Sequence, residues 1–254
     1  MFIDTHMHLN DDKYKDMIEE FLIECAEKNV LELFIVGDTE ESSKKAVQLQ
    51  KKYNGYKGLK IYALGGIHPS EVKDTEDFQW LIEMLEKKEI IGVGEIGMDL
   101  YWDKSKKDLQ IKMFKQQLEI AAHYKVPVSI HSREATEVTY NVLKNYNTVK
   151  GIIHCYSGSV EFAKKYIDLG YKLGIGGVLT FKNSRLWEVI ATYDLENFVT
   201  ETDAPYLAPE PHRGHINKSS YIPLIVDRMA QIKNIKVEDV EKILERNTKD
   251  IYDV

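Results

Sequence analysis

The chain has 254 residues, 43% apolar and 30% charged, with 34 Lys+Arg against 41 Asp+Glu and a net charge of -7. This length can bury a large core and suits one large domain or two small ones, a one-domain α/β barrel needing about 250 residues. The acidic balance argues against a broad basic nucleic-acid face but leaves a local phosphate site open, and no apolar run approaches the roughly 18 residues of a membrane helix.

Short β-branched runs alternate with longer amphipathic segments along the chain. The first predicted strand is Phe2–Thr5, followed by a helix over Lys13–Lys28. Strand Leu31–Val36 precedes a helix over Thr39–Tyr53, and strand Lys60–Leu64 precedes one over Asp77–Lys87. The fourth strand is expected at Ile90–Gly94, with a long helix over Lys106–Lys125. There, Leu109, Met113, Leu118 and Ile120 interleave with Lys107, Asp108, Lys112 and Lys115 as a one-sided stripe requires. Strand Val128–Ile130 leads to helix Ala135–Asn145, strand Gly151–Ile153 to helix Val160–Leu169, and strand Lys172–Ile175 to a short helix at Ser184–Thr192. Strand Phe198–Thr200 is followed by two helices, Ser220–Lys233 and Val237–Tyr252.

Eight β-then-α units predict an α/β fold, a (β/α)8 TIM barrel. The strands read as continuous apolar runs, as strands covered by helices do. A doubly wound open sheet is the alternative. It would favour a Gly-rich phosphate turn after an early strand, and the first strand here ends in His-x-His instead. No linker, low-complexity tract or further repeat divides the chain, so one domain over residues 1–254 is expected. Two cysteines, Cys25 and Cys155, are too few for a disulfide scaffold, and the opening MFIDTHMH lacks the features of a signal peptide. A cytoplasmic protein with reduced thiols is expected.

Barrel enzymes carry their chemistry at the carboxyl ends of the strands. The strand ends here are rich in donors: His6 and His8 after the first strand, His68 after the third, Glu95 after the fourth, His131 and Arg133 after the fifth, His154 and Cys155 after the sixth, Glu201 and Asp203 after the eighth. Residues two apart in an extended segment share a side, so His6 and His8 can reach one metal. Together with Glu95, His131, His154 and Asp203 they make four imidazoles and two carboxylates. That is more than one metal needs and fits two sharing a bridging carboxylate. Nitrogen and oxygen ligands without thiolate suit Zn, Mn or Mg. By contrast His123 and His212 read as ordinary polar residues, and Cys155, beside His154 in an extended run, reads as a buried thiol. Tyr101 and Trp102 read equally as core or as a platform for a base. Gly174, Gly176 and Gly177 mark a bulge or a close backbone approach.

At this point the sequence resembles the TatD family of metal-dependent deoxyribonucleases, within the metallo-dependent hydrolase superfamily. The resemblance rests on an ordered set: IDTHMHL, GIHP at 66–69, GEIGMDLYW at 94–102, PVSIHSREA at 127–135, GIIHCYSG at 151–158, GIGGVLTFKNS at 174–184, TETDAPYLAP at 200–209, and RG-x-x-N at 213–217. It implies two divalent metals (Mg, Mn or Zn), one held by His6, His8 and Asp203, the other by His131 and His154, with Glu95 between them. It also implies hydrolysis of DNA phosphodiesters, typically as a 3′–5′ exonuclease preferring single strands, with DNA as substrate; separately, no membrane partner and a monomeric chain are expected. Met7 stands where many members carry Cys, Leu100 where Tyr is common, and Lys218-Ser219 where Glu-Pro is usual. The metal residues match throughout.

The expected catalytic residues are Asp203 as proton acceptor, Glu95, and His68 as a donor to substrate or leaving oxygen. Arg133, His68 and Arg213 are expected to contact substrate, Arg133 with a fork suited to phosphate. The competing functions are hydrolysis of an ester or amide on the same barrel, including an aminoacyl-tRNA ester, and non-catalytic nucleic-acid binding.

Overall fold

A computed structural model describes the whole chain, Met1–Val254. Eight strands run in parallel: β1 (Phe2–Met7), β2 (Val30–Val36), β3 (Lys60–Leu64), β4 (Val93–Asp99), β5 (Val128–Arg133), β6 (Gly151–Ile153), β7 (Lys172–Ile175) and β8 (Phe198–Thr200). The helices are α1 (Ile18–Glu27), α2 (Glu40–Tyr53), α3 (Gln79–Glu86), α4 (Lys107–Tyr124), α5 (Thr136–Leu143), α6 (Val160–Asp168), α7 (Leu186–Thr192), α8 (Ile222–Lys233) and α9 (Val237–Tyr252). This is the predicted (β/α)8 architecture. Strands pair in the order β1-β2-β3 and β4-β5-β6-β7-β8. The two seams between these groups carry single parallel bridges, Gly65 with Val93 and Met7 with Ala204. Hydrogen bonds from Gly94 N to Gly65 O (2.9 Å) and from His8 N to Ala204 O (2.7 Å) join the same seams.

Two layers of core hold the barrel. Inside it, Ile3, Phe34, Val36, Leu64, Ile152 and Val199 pack together with Tyr252 from the last turn of α9. A larger apolar cluster fills the space between strands and helices. Fully burying one such side chain is worth about 1.5–3 kcal/mol. No helix is long and apolar enough to cross a membrane.

Three local details differ from the sequence expectation. The first helix begins at Ile18, not Lys13, because Asp11 caps a short 3-10 turn at Asp12–Tyr14 and the Tyr14 hydroxyl is tied to the Asn217 carbonyl. β4 starts later than predicted and runs on to Asp99 through Gly94 and Gly97. Those glycines are strand residues because of close packing: a Cβ on Gly94 would lie 2.7 Å from Ser129 Cβ, and one on Gly97 2.1 Å from the His131 carbonyl oxygen. β5 likewise continues past Ile130 to Arg133.

The strands that carry the site are bulged. Asp4 and Met7 pair with Leu33 and Ile35, so three steps on β1 face two on β2. Val93 and Ile96 pair with Val128 and Ile130 in the same unequal way. One extra residue in each reverses the in-out alternation beyond it. Ile3 can therefore face the barrel core while His6 and His8, of opposite parity, also turn inward at the mouth.

Candidate metal centre

Glu95 sits among the imidazoles and is almost fully buried. Its Oε2 lies 3.5 Å from His6 Nε2 and 3.6 Å from His8 Nε2. Its Oε1 lies 2.7 Å from His131 Nδ1 and 3.6 Å from both His154 Nε2 and His68 Nε2. Asp203 Oδ1 lies 3.5 Å from His8 Nε2 and 3.7 Å from His154 Nε2. The six predicted ligands thus converge from β1, β4, β5 and the ends of β6 and β8, with one Glu95 oxygen toward each histidine set.

The outer nitrogens of His6, His8 and His131 are hydrogen-bonded, and that of His154 lies beside a carboxylate. His6 Nδ1 is 2.8 Å from Ser129 Oγ, and His8 Nδ1 donates to the Val36 carbonyl at 3.0 Å. His154 Nδ1 lies 2.9 Å from Glu201 Oε1, and His131 Nε2 is 3.2 Å from Asp99 Oδ2. Such outer contacts fix tautomer and ring orientation in metal sites. Because a carbonyl only accepts, neutral His8 carries its proton on Nδ1 and presents the lone pair of Nε2. That lone pair faces His6 Nε2 at 3.3 Å and two carboxylates. Electron pairs converging on one small space are the donor set a divalent cation fits.

The charges of the metal-free site follow from the same contacts. Burial alone would lower the His8 and His154 imidazoles and raise the Asp203 and Glu95 carboxyls. For His8 the hydrogen bond to Asp203 and the Glu95 charge win, pushing it up to about 9. For His154 the Glu201 and Glu95 charges push it up to about 10. The neighbouring histidines in turn hold Glu95 well below, and Asp203 below, the usual carboxylate range. His68 differs: burial pushes it down to about 4, against the pull of Glu95. Its Nδ1 accepts from Ser70 N at 3.1 Å, so the proton of neutral His68 sits on Nε2, the atom nearest Glu95. Neutral His68 thus turns an Nε2–H, not a lone pair, toward Glu95.

The remaining predicted residues divide. Arg133 lines the cavity at the barrel mouth, and its guanidinium lies 3.9 Å from the Tyr101 ring centre with no acidic partner. Arg213 does not line that cavity; it is exposed and lies 3.7 Å over the Phe181 ring. His212 stacks on Tyr221 and His123 packs by Tyr124, both outside the cavity. Cys155 lines the cavity and is partly accessible, contrary to the buried-thiol expectation. The strand ends at Ile153, and Cys155 takes a φ of 48°, so strict alternation no longer governs where its side chain points.

Four supporting residues, Asp99, Gln110, Gln117 and Asp4, carry little or no signal in the sequence. Asp99 accepts from Tyr101 N at 2.9 Å as well as contacting His131, and the only signal was its place after G-M in GEIGMD. Gln117 Oε1 accepts from Ile67 N at 2.7 Å, and Gln110 Oε1 from Asp99 N at 3.0 Å. These two glutamines, seven apart on the buried face of α4, clamp the backbone beside His68 and at Asp99. Asp4, fully buried, accepts from Thr202 N at 3.0 Å and ties β1 to the segment carrying Asp203.

The site opens into a cavity of about 700 Å3 at the barrel mouth. A family model described as TatD related DNase matches residues 3–253. The chain belongs to the TatD-related DNase family. The uncharacterized metal-dependent hydrolase YabD of Bacillus subtilis is 33% identical, the match covering 99% of each chain. The uncharacterized metal-dependent hydrolase YjjV of Escherichia coli is 28% identical over 100% of this chain and 98% of its own. The crystal structure of the E. coli TatD homologue YjjV superposes with a TM-score of 0.91 at 27% identity, covering 100% of this chain and 98% of that one. A TatD-family hydrolase from Entamoeba histolytica, at 22% identity and TM-score 0.87, shows the shared fold. TatD-family membership makes this chain a metal-dependent hydrolase, and the clustered donors accord with use of a divalent metal.

Proposed function

We propose that the chain, acting as a one-domain cytoplasmic monomer, hydrolyses DNA phosphodiester bonds as a 3′–5′ exonuclease on single strands, with two divalent metals. The observation that carries this reading is Glu95, whose two oxygens face different histidine sets. His6, His8 and Asp203 would hold one ion and His131 and His154 the other, with Glu95 shared. Bound there, divalent ions supply polarisation of a phosphate oxygen and acidification of a water. Four imidazoles favour Mn or Zn over Mg, which prefers oxygen ligands.

The protein's own groups do the rest. Asp203, held ionised among His8, His154 and His6, accepts the proton of the attacking water. His68 offers Nε2–H to the phosphate or the departing oxygen. Arg133, unpaired at the cavity wall, compensates the charge that develops on phosphorus-bound oxygens. Lys218-Ser219, the departure from the family pattern, follows Asn217, whose Nδ2 donates to the carbonyls of Thr202 (2.8 Å) and Tyr206 (2.6 Å) behind the site.

A second reading, hydrolysis of an ester or amide, draws support from the cavity wall, where five carboxylates, Asp11, Asp38, Glu95, Asp99 and Asp203, stand against one arginine, Arg133, and no lysine. One assay separates the two. Purified protein with Mg, Mn or Zn is tested on single-stranded DNA, duplex DNA, RNA and a set of esters and amides, with a chelator control. Metal-dependent loss of nucleotides from single-stranded 3′ ends is expected. Turnover of esters or amides without any DNA cleavage would transfer the assignment to the second reading.

A further inference from the structure

Beside the metal-binding residues, on the β4 and β5 side of the cavity, two aromatic rings stand in solvent. Trp102 is 74% exposed and Tyr101 52%, unusual for large rings in a chain whose core is otherwise well filled. They meet edge to face, with centroids 4.7 Å apart. The Arg133 guanidinium lies 3.9 Å from the Tyr101 centroid and 5.4 Å from that of Trp102. Trp102 and Arg133 both line the cavity. Arg133 follows His131 by two residues on β5, so it shares His131's side of the strand at a distance of about 6–7 Å. Asp99 fastens the arrangement, since its carboxylate contacts both His131 Nε2 and the Tyr101 backbone N–H.

Beyond the rings the chain continues as Asp103-Lys104-Ser105-Lys106-Lys107. These three lysines are exposed, and neither they nor Arg133 takes part in an ion pair, while Arg185 and Arg246 do. An exposed indole, next in the chain to this lysine-rich stretch, and an arginine without an ion pair at the cavity wall match a ligand carrying flat rings and spaced negative charges.

We infer that Tyr101, Trp102 and Arg133 form a subsite for an unpaired nucleotide adjoining the scissile phosphate, Trp102 taking the base and Arg133 the phosphate. This deepens the nuclease reading and rests on it. A base inside a duplex has both faces stacked and only the terminal pair leaves one open, so Trp102 can take a base at any position of an unpaired strand but none from the interior of a duplex. The subsite thus discriminates strand state without reading sequence, because every base has a π-face.

The test measures binding by fluorescence anisotropy, using the full chain with and without Mn. The probe is a short single-stranded oligonucleotide with phosphorothioate linkages to slow cleavage, compared with the same strand bearing abasic sites at its 3′ end. The natural protein should bind the base-bearing strand about 5- to 150-fold more tightly, the range for one stacked base. Trp102→Ala should abolish that preference and Trp102→Phe should keep most of it. Arg133→Ala should weaken both strands and lower the salt dependence by about 0.7 in slope. Both side chains are exposed, so unchanged melting temperatures are expected. Preserved base preference in Trp102→Ala, or an unchanged salt slope in Arg133→Ala, would overturn the subsite. If the natural protein cleaves DNA while these binding results fail, only the subsite falls. If it cleaves no DNA with any metal, the nuclease reading falls with it.

Discussion

Glu201 Oε1 lies 2.9 Å from His154 Nδ1, while His154 turns Nε2 toward Glu95 and Asp203. Glu201 also accepts from Cys155 N at 2.5 Å and is fully buried. Gly174 makes room for it, since a Cβ there would lie 2.1 Å from Glu201 Oε2. Glu201→Gln should reduce metal affinity or turnover about 10–100-fold with the fold retained, as loss of such outer partners does. Gly174→Ala should destabilise by about 1–3 kcal/mol through overpacking and mimic part of the Glu201 defect. Chemical denaturation and metal titration of both variants check this; full activity in Glu201→Gln would contradict the orienting role.

Asp203 and Glu95 separate by readout. Asp203→Asn should cut turnover by about 10²–10⁴-fold, the scale of losing a general base, with circular dichroism unchanged. Glu95→Ala should retain fewer than two metals per chain after dialysis, measured by elemental analysis. Two metals in Glu95→Ala would refute sharing of that carboxylate.

Asp99→Asn removes the charge behind His131 while leaving a similar shape. Asparagine can still accept from Tyr101 N but holds His131 less firmly. A fall of about 10–100-fold in metal affinity or activity is expected, and an affinity equal to the natural protein's would show that Asp99 serves only the local turn.

Metal binding should depend on pH across an unusually wide range. His8 near 9 and His154 near 10 carry protons at neutral pH in the metal-free protein. A cation must displace those protons, so affinity should keep rising from pH 6 to pH 9 where ordinary imidazoles would level off near 6.5. Calorimetric titration with Mn in buffers of different ionisation enthalpy should show proton release at pH 7.5. The same raised values set the stability of the metal-free chain. Their stabilising charge is fully present below about 6.5 and is lost as pH rises through the folded values. Metal-free protein should therefore melt earlier at pH 10 than at pH 7, and added metal should narrow the difference.

Much of this was legible along the chain. His6-x-His8, Glu95, His131, His154 and Asp203 all stand at strand ends, and a barrel brings strand ends together whatever its details. The weaker places were those where one residue's environment is made by a distant element. The predicted fourth strand stops at Gly94, whereas β4 runs on through Gly97 to Asp99, because Gly94 and Gly97 are glycine to admit Ser129 and the His131 carbonyl. Gln110 and Gln117 carry no sequence signal, since a glutamine on a helix facing strand backbone looks the same as one facing water.

The sequence by itself determined the donors: their types, their order and their attachment to successive strands, because these follow from local periodicity and residue identity. Only the tertiary structure decided how each donor is aimed. Bulges in β1 and β4, set by pairing with β2 and β5, shift the phase that turns His6, His8 and Glu95 inward. Ser129, the Val36 carbonyl, Glu201 and Asp99, each from another part of the chain, select which nitrogen of each imidazole faces the centre. An imidazole has two nearly equivalent nitrogens, and nothing in its own neighbourhood along the chain chooses between them.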